Sequence, residues 1–346
     1  MNDLSPITKK KEKLNMLTFV RNLDSYSAQY AIEPLSSAQI DVILQTLQHY
    51  IGNTNGTVTQ VDLVPPQDES ALTNALAAVV PQLESLAEQL KYQLDNHYSV
   101  ILLTKVWLDA YNTDTRAAVL YALSLFIGSP TPTDKVDRQV VWDIKTLGAS
   151  MAPGHKPTFS EHDDEAKLHT DTQYYPNPER YMMLYANQTA KCGGGVSSFR
   201  DVNSITQALE QSQQGRWALK ILSEQALPFR VPMSFTKDGK QGTKEFTYAP
   251  VFSDSPKIRY RQDTLKQGFN CHPEQQTEQI NQALAILDQE LARTEAQTCL
   301  LLQPDALLIM NNHECLHGRT AFTDQNRHAF RVRIAQKSNL CADGLN

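Results

Sequence analysis

At 346 residues, with 41% hydrophobic and 20% charged residues, the chain has the composition of an ordinary globular protein, which excludes a disordered one. Its formal net charge of −6 offers no general attraction to phosphate backbones or anionic lipid, so neither a nucleic-acid nor a membrane partner is expected. Cys192, Cys271, Cys299, Cys315 and Cys341 are scattered and form no C-x-x-C pair, the pattern of reduced thiols in a cytoplasmic protein.

The basic run Lys9, Lys10, Lys11 and Lys13 lies beside no apolar stretch long enough for a signal peptide or a membrane span, and reads as a solvated tail. The first hundred residues look helical. SSAQIDVILQTLQHYIG opens on a capping serine, and Leu72, Leu76, Val79, Leu83, Leu86 and Leu90 recur at helical spacing, with Pro81 breaking or restarting the second helix. Two short β-rich runs, SVILLTKVWL and RQVVWDIKT, then flank a helical stretch, DTRAAVLYALSLFIG. Strands dominate thereafter: RYMMLYAN, LPFRVP, FTYAPVF, KIRYR, ALLIMNN and HAFRVRIA, with EQQTEQINQALAILDQELAR a long helix among them.

Many short strands with helices packed outside predict a mainly β, α+β jelly-roll or barrel rather than a βαβ sheet. No repeat, low-complexity tract or long linker divides the chain, so one domain is expected over residues 1–346. Residues 1–97 would form a helical extension on a core of residues 98–346.

In LHTDTQYYPNPERYMMLY, His169 and Asp171 are two apart, so on an extended strand both side chains leave the same face and can grip one ion. His317, far downstream in ALLIMNNHECLHGRTAF, follows an apolar run that can carry it to the same barrel mouth. Two imidazoles and one carboxylate leave coordination positions free, which suits iron(II) oxygenases better than closed structural zinc. Arg331 stands fourteen positions after His317, and the intervening TAFTDQNR is rich in turn formers, with Asp324 at its midpoint. A chain reversal there returns Arg331 to the height of His317, whether their strands pair or face one another across a sandwich. A guanidinium close to the metal matches a carboxylate bidentately, as an anchor for a dicarboxylate whose other end chelates iron.

Rivals exist for each position. His162 and Asp164 share the two-apart spacing but lie in the acidic run of Glu161, Asp163, Asp164 and Glu165, the composition of a solvated loop. His313 competes with His317, Cys315 could act as a nucleophile beside both, and Arg319, Arg327 and Arg333 read as structural or as contacts for substrate.

With LHTD, CGGGVSSF, LHGRTAF and RHAFRVRI in place, the chain resembles the 2-oxoglutarate-dependent dioxygenases of the taurine dioxygenase and clavaminate synthase superfamily, most closely over residues 160–335. The resemblance implies a double-stranded β-helix fold, with iron(II) held by His169, Asp171 and His317. It also implies that Arg331 holds the distal carboxylate of 2-oxoglutarate. Gly194, Gly195 and Ser197 match the family's Gly-Gly-x-Thr/Ser segment, which makes Ser197 a second partner for that carboxylate. Some relatives place a substrate-binding arginine four residues after the cosubstrate arginine; here that position is Ala335. Halogenating relatives lack the metal carboxylate, so Asp171 argues against halogenation. The implied reaction uses O2 to hydroxylate a small-molecule substrate, with a small amino acid or amine-bearing metabolite as the leading class. A metal-dependent hydrolase on the same triad and a non-catalytic metal-binding jelly-roll are the alternatives.

Overall fold

The computed structural model describes residues 15–52, 56–133, 137–146, 162–232 and 245–337. The Lys9–Lys13 run, Glu161 and Cys341 lie outside them. Four helices form where the apolar stripes predict them: α1 (Ser37–Ile51), α2 (Glu69–Val79), α3 (Pro81–Asn96) and α4 (Thr113–Ile127). In α1, Ser36 caps the Gln39 amide while the Gln39 side chain reaches back to the Ser36 amide, so two orphan donors are satisfied together. Pro81 restarts the helical run at the first turn of α3, where a missing N–H costs nothing. Helix α4 is buried on nearly every face, because α1 and α3 cover one side of it and the main sheet the other.

That sheet has eight strands, in the order β1 (Leu17–Asn22), β2 (Ser27–Ile32), β3 (Val100–Leu103), β12 (Leu307–Asn311), β7 (Tyr181–Gln188), β14 (His328–Ala335) and β4 (Ser129–Thr131), with β5 (Trp142–Lys145) also paired to β14. A second, four-stranded sheet runs β11 (Thr298–Leu300), β8 (Ser197–Asp201), β13 (Cys315–Arg319) and β6 (Ala166–His169). Helices α5 (Val202–Glu210), α6 (Gln213–Glu224), α7 (Gln262–Cys271) and α8 (Glu278–Leu291), with the β9 (Leu227–Arg230) and β10 (Phe246–Ala249) hairpin, pack outside it on Leu168 and Leu316.

Side-chain parity on β14 decides what faces the space between the sheets. Phe330, Val332 and Ile334 join the core shared with α1–α4, whereas Ala329 joins the inner cluster of Met182, Leu184, Phe199 and Leu308. Arg331 and Arg333 have the parity of Ala329 and therefore project inward. β13 and β14 lie in different sheets, so His317 and Arg331 face one another across the sandwich rather than pairing.

The first hundred residues are not all helical. β1 and β2 precede α1, and β2 joins the main sheet by parallel pairing with β3, Ser27 opposite Val100 and Tyr30 opposite Leu103. The signal was present as Ala28, Tyr30 and Ile32, an alternating set that packs on the helical core. KIRYR is not a strand either, and makes a single bridge, Phe252 to Ile258. Its backbone is satisfied piecemeal, by Ile258 N to His313 O, Arg259 N to Val251 O and Thr170 N to Tyr260 O.

Candidate active site

His169 and His317 are register partners across β6 and β13, with ring centroids 4.3 Å apart. His169 Nδ1 lies 2.7 Å from the carbonyl of Lys167. A carbonyl can only accept, so the proton sits on Nδ1 and the Nε2 lone pair is left for a metal. Asp171 lies just past the end of β6 and brings its Oδ1 to 3.6 Å from His169 Nε2 and 3.8 Å from His317 Nε2. One donor atom from each residue falls within 4.8 Å of the others, the sole such cluster of His, Cys, Asp and Glu among the described residues. The sequence expectation thus named three side chains that converge.

The donor set fits a ferrous ion. All three groups are enclosed by protein, and Asp171 Oδ2 and His317 Nδ1 are buried without a hydrogen-bond partner. Two imidazoles and a carboxylate on one side of a cavity constitute the open triad of non-haem iron oxygenases. Burial pushes the His317 imidazole down to about 3, with His169 acting in the same direction, so it is neutral and able to ligate at physiological pH. Burial opposes ionisation of Asp171, but the surrounding charge, the Arg331 guanidinium foremost, outweighs it and holds the carboxyl well below its usual range.

Arg331 Nη1 lies 3.3 Å from Asp171 Oδ2. A cavity runs from the triad along the inner faces of both sheets, lined by Leu184, Leu308, Ser197, Arg319, Arg327 and Arg331. Arg331 stands at its metal end. Ser197 and Arg319 are register partners one strand-repeat beyond His317, and Arg327 lies beside Gly195, where a Cβ would come within 3.0 Å of its Nε. The Phe322 ring lies between the two outer guanidinium groups, 4.7 Å from Arg319 and 5.0 Å from Arg327.

The Gly-Gly segment secures this end. Gly194 packs so tightly on the 321–322 backbone that a Cβ would lie 2.3 Å from Ala321 O. Gly195 adopts φ +73° while its amide donates to the same carbonyl. Buried atoms without a hydrogen-bond partner include Arg319 Nε, Arg327 Nη1 and Arg331 Nε. Burial, reinforced by Arg319, pushes Arg327 down to about 10, and it remains charged at neutral pH.

The rivals fall elsewhere. His162 and Asp164 sit outside the triad, and their carbonyls accept from Arg319 Nη2. His313 Nε2 is turned to the carbonyl of Pro178. Cys315 is buried in the inner apolar cluster, its thiol pushed up by burial. Sequence reasoning left Arg327 among arginines that are structural or contact substrate, although its position four residues before Arg331 was visible. It missed Asn312, which follows β12 and hydrogen-bonds both the amide and the carbonyl of Asp171.

Among solved structures, asparagine oxygenase in complex with Fe(II), hydroxyasparagine and succinate aligns with a TM-score of 0.61, 16% identity, 90% of this chain and 94% of that one. The non-heme iron oxygenase OrfP with Fe and alpha-ketoglutaric acid aligns with a TM-score of 0.57, 13% identity, 89% of this chain and 94% of that one. These likenesses show the jelly-roll oxygenase fold. No curated protein matches in sequence. The family model for taurine catabolism dioxygenase TauD, TfdA family, matches residues 64–333. The chain belongs to that family, and is an iron- and 2-oxoglutarate-dependent dioxygenase.

Proposed function

We propose that this dioxygenase hydroxylates an unactivated C–H bond of a small amino acid or related amine-bearing metabolite, with iron(II) held by His169, Asp171 and His317. The observation that carries the reading is the cavity beside the triad, where Arg319, Arg327 and Arg331 place buried, unpartnered N–H groups. Among the described residues Asp171 is the one acid in ion-pair contact with the three, on Arg331, so the N–H groups still without a partner call for a further anion. A dicarboxylate that chelates the metal at one end presents its other carboxylate to them.

Within this reading Arg331 and Arg327 supply the guanidinium donors for the distal carboxylate of 2-oxoglutarate, and the Ser197 hydroxyl supplies one more. Arg331, at the metal end, also neutralises Asp171. Leu184, Leu308 and Met182 line the wall between and exclude water. When bound, iron and 2-oxoglutarate together activate O2 to remove a hydrogen atom from the second substrate. The protein positions one C–H bond and holds the two ends of the cosubstrate apart.

An amino-acid substrate is supported by the solved relatives, one holding 3-hydroxyasparagine and the other, in a further complex, (3S)-hydroxy-L-Arg. No described helix is long and apolar enough to cross a membrane, and Cys192, Cys271, Cys299 and Cys315 are free thiols. We place the enzyme in the reducing cytoplasm as one folded domain. The test is a panel of free amino acids and amines incubated with Fe(II), 2-oxoglutarate and O2, followed for succinate and for a product 16 mass units heavier. Substrate-dependent succinate with a hydroxylated amino acid supports the proposal. Turnover without O2 or 2-oxoglutarate replaces it with a hydrolytic site.

A further inference from the structure

The three metal ligands do not ride on the same support. His169 and His317 belong to the four-stranded sheet, whereas Asp171 lies on the turn beyond β6 and is fastened to the opposite sheet. The fastening is Asn312, directly after β12. Its Oδ1 accepts from the Asp171 amide at 2.8 Å, and its Nδ2 donates to the Asp171 carbonyl at 3.1 Å and the Glu179 carbonyl at 2.9 Å. The Asn312 amide donates to Arg180 O at 2.7 Å, which ties the side chain's own backbone to the same segment.

The next residue, Thr172, has φ +51°, a left-handed conformation that β-branched residues rarely adopt. It is buried, and its hydroxyl donates to the Glu179 carboxylate. The other Glu179 oxygen accepts from Thr131 Oγ1 at 2.8 Å, and the buried Arg333 guanidinium lies close enough to be held charged mainly by Glu179. Arg333 is itself fixed by donation to the carbonyls of Pro132 and Thr133. None of these groups belongs to the metal-ligand cluster, yet they fasten the backbone on either side of the Asp171 carboxylate's attachment to the opposite sheet.

We propose that Asn312 and the Thr172–Glu179 hydrogen bond are positioning elements of the metal centre, which hold the Asp171 backbone so that its carboxylate meets the two histidines of the other sheet. This inference rests on the reading of His169, Asp171 and His317 as metal ligands. Both donating and accepting functions of the Asn312 amide are used, so neither Asp nor Ala can replace it fully. Thr172→Gly retains the left-handed backbone at no steric cost but loses the hydroxyl, whereas Thr172→Val loses the hydroxyl and keeps the strain.

The experiment is anaerobic titration of the full chain with Co(II) or Fe(II), with thermal unfolding followed on the metal-free protein. Asn312→Ala and Thr172→Val are expected to bind metal about 10–100-fold more weakly, the range for residues that orient ligands. Asn312→Asp and Thr172→Gly are expected to fall between these variants and the wild type. Leu90→Ala, in the helical layer, is expected to lower the unfolding midpoint with metal affinity unchanged, which separates positioning from general loosening. Should Asn312→Ala not fold, the two Thr172 variants and Asn312→Asp decide the matter. Wild-type affinity, within twofold, in every folded variant overturns the positioning proposal and leaves the ligand assignment intact. A wild-type protein that binds neither metal overturns the ligand assignment and this inference with it.

Discussion

His169 and His317 stand directly opposite one another in antiparallel strands, so the two imidazoles are fixed by sheet register, and Asp171, the third ligand we propose, is fixed by its turn. Substituting any one of the three removes a donor that no neighbour replaces. His169→Ala, Asp171→Ala and His317→Ala are each expected to lose more than about 100-fold in Fe(II) or Co(II) affinity, beyond the range for supporting residues. Asp171→Ala has a further cost, because it strands Arg331 in a buried position. The metal-free variant should lose about 3–5 kcal/mol of stability, measurable by urea unfolding.

Arg327 and Arg331 are four residues apart, but only Arg331 also contacts Asp171, so their substitutions should be separable. Arg327→Ala is expected to weaken 2-oxoglutarate binding by about two to three orders of magnitude and leave metal affinity near the wild-type value. Arg331→Ala should weaken 2-oxoglutarate comparably and also disturb metal binding, because Arg331 holds Asp171 ionised. Calorimetric titration of each variant with metal first and cosubstrate second distinguishes them. Normal 2-oxoglutarate affinity in Arg331→Ala would remove it from the anchoring role.

Gly194 offers a test of the cavity's outer wall. In Gly194→Ala the new Cβ meets Ala321 O at 2.3 Å and Phe322 Cα at 2.9 Å, so the 321–322 backbone must move. Overpacking of this kind costs about 1–3 kcal/mol. Displacing Phe322 also disturbs the ring on which Arg319 and Arg327 stack. A lower unfolding midpoint with a raised KM for 2-oxoglutarate is expected, the KM for the second substrate changing less.

Acid should loosen the wall formed by β5. Asp143 accepts from His328 Nε2 at 2.7 Å across the seam that holds β5 to β14, and from Lys145 Nζ at 2.8 Å within β5. Burial opposes its ionisation, but these two donors hold its pKa down at about 2 against an ordinary 3.8. An unfolded chain therefore takes up this proton first as pH falls. The stabilisation is complete above about pH 4 and is lost on going down toward pH 2. Both side chains are partly solvated, so the contribution is about 1 kcal/mol after screening. Asp143→Asn should flatten the fall in unfolding free energy over that interval, measured against wild type at each pH.

Much of the site was legible because its signals are local. The two-residue spacing of His169 and Asp171, the turn-rich interval before Arg331 and the Gly194–Gly195 pair each state a geometry that a short segment dictates. Alternation on β14 puts Arg331 on the face opposite Phe330, Val332 and Ile334, and only the fold shows that this face turns toward the space between the sheets. What could not be read was long-range. Asn312 finds Asp171 across 141 positions, and no local pattern distinguishes it from Asn311 beside it. Arg327 became a candidate anchor only when the fold carried it to the Gly195 turn. β2 was overlooked because its alternating residues, Ala28, Tyr30 and Ile32, precede strong helical stripes that dominated the reading of that region.

In the proposed site His169, Asp171 and His317 hold one ferrous ion beside a cavity that takes 2-oxoglutarate. Anaerobic titration of the protein with Fe(II) and then 2-oxoglutarate, followed by visible absorption, tests it most directly. A charge-transfer band is expected that saturates at one iron and one cosubstrate per chain and is lost in His317→Ala. Absence of the band in the wild type, or its persistence at full intensity in that variant, would contradict this assignment.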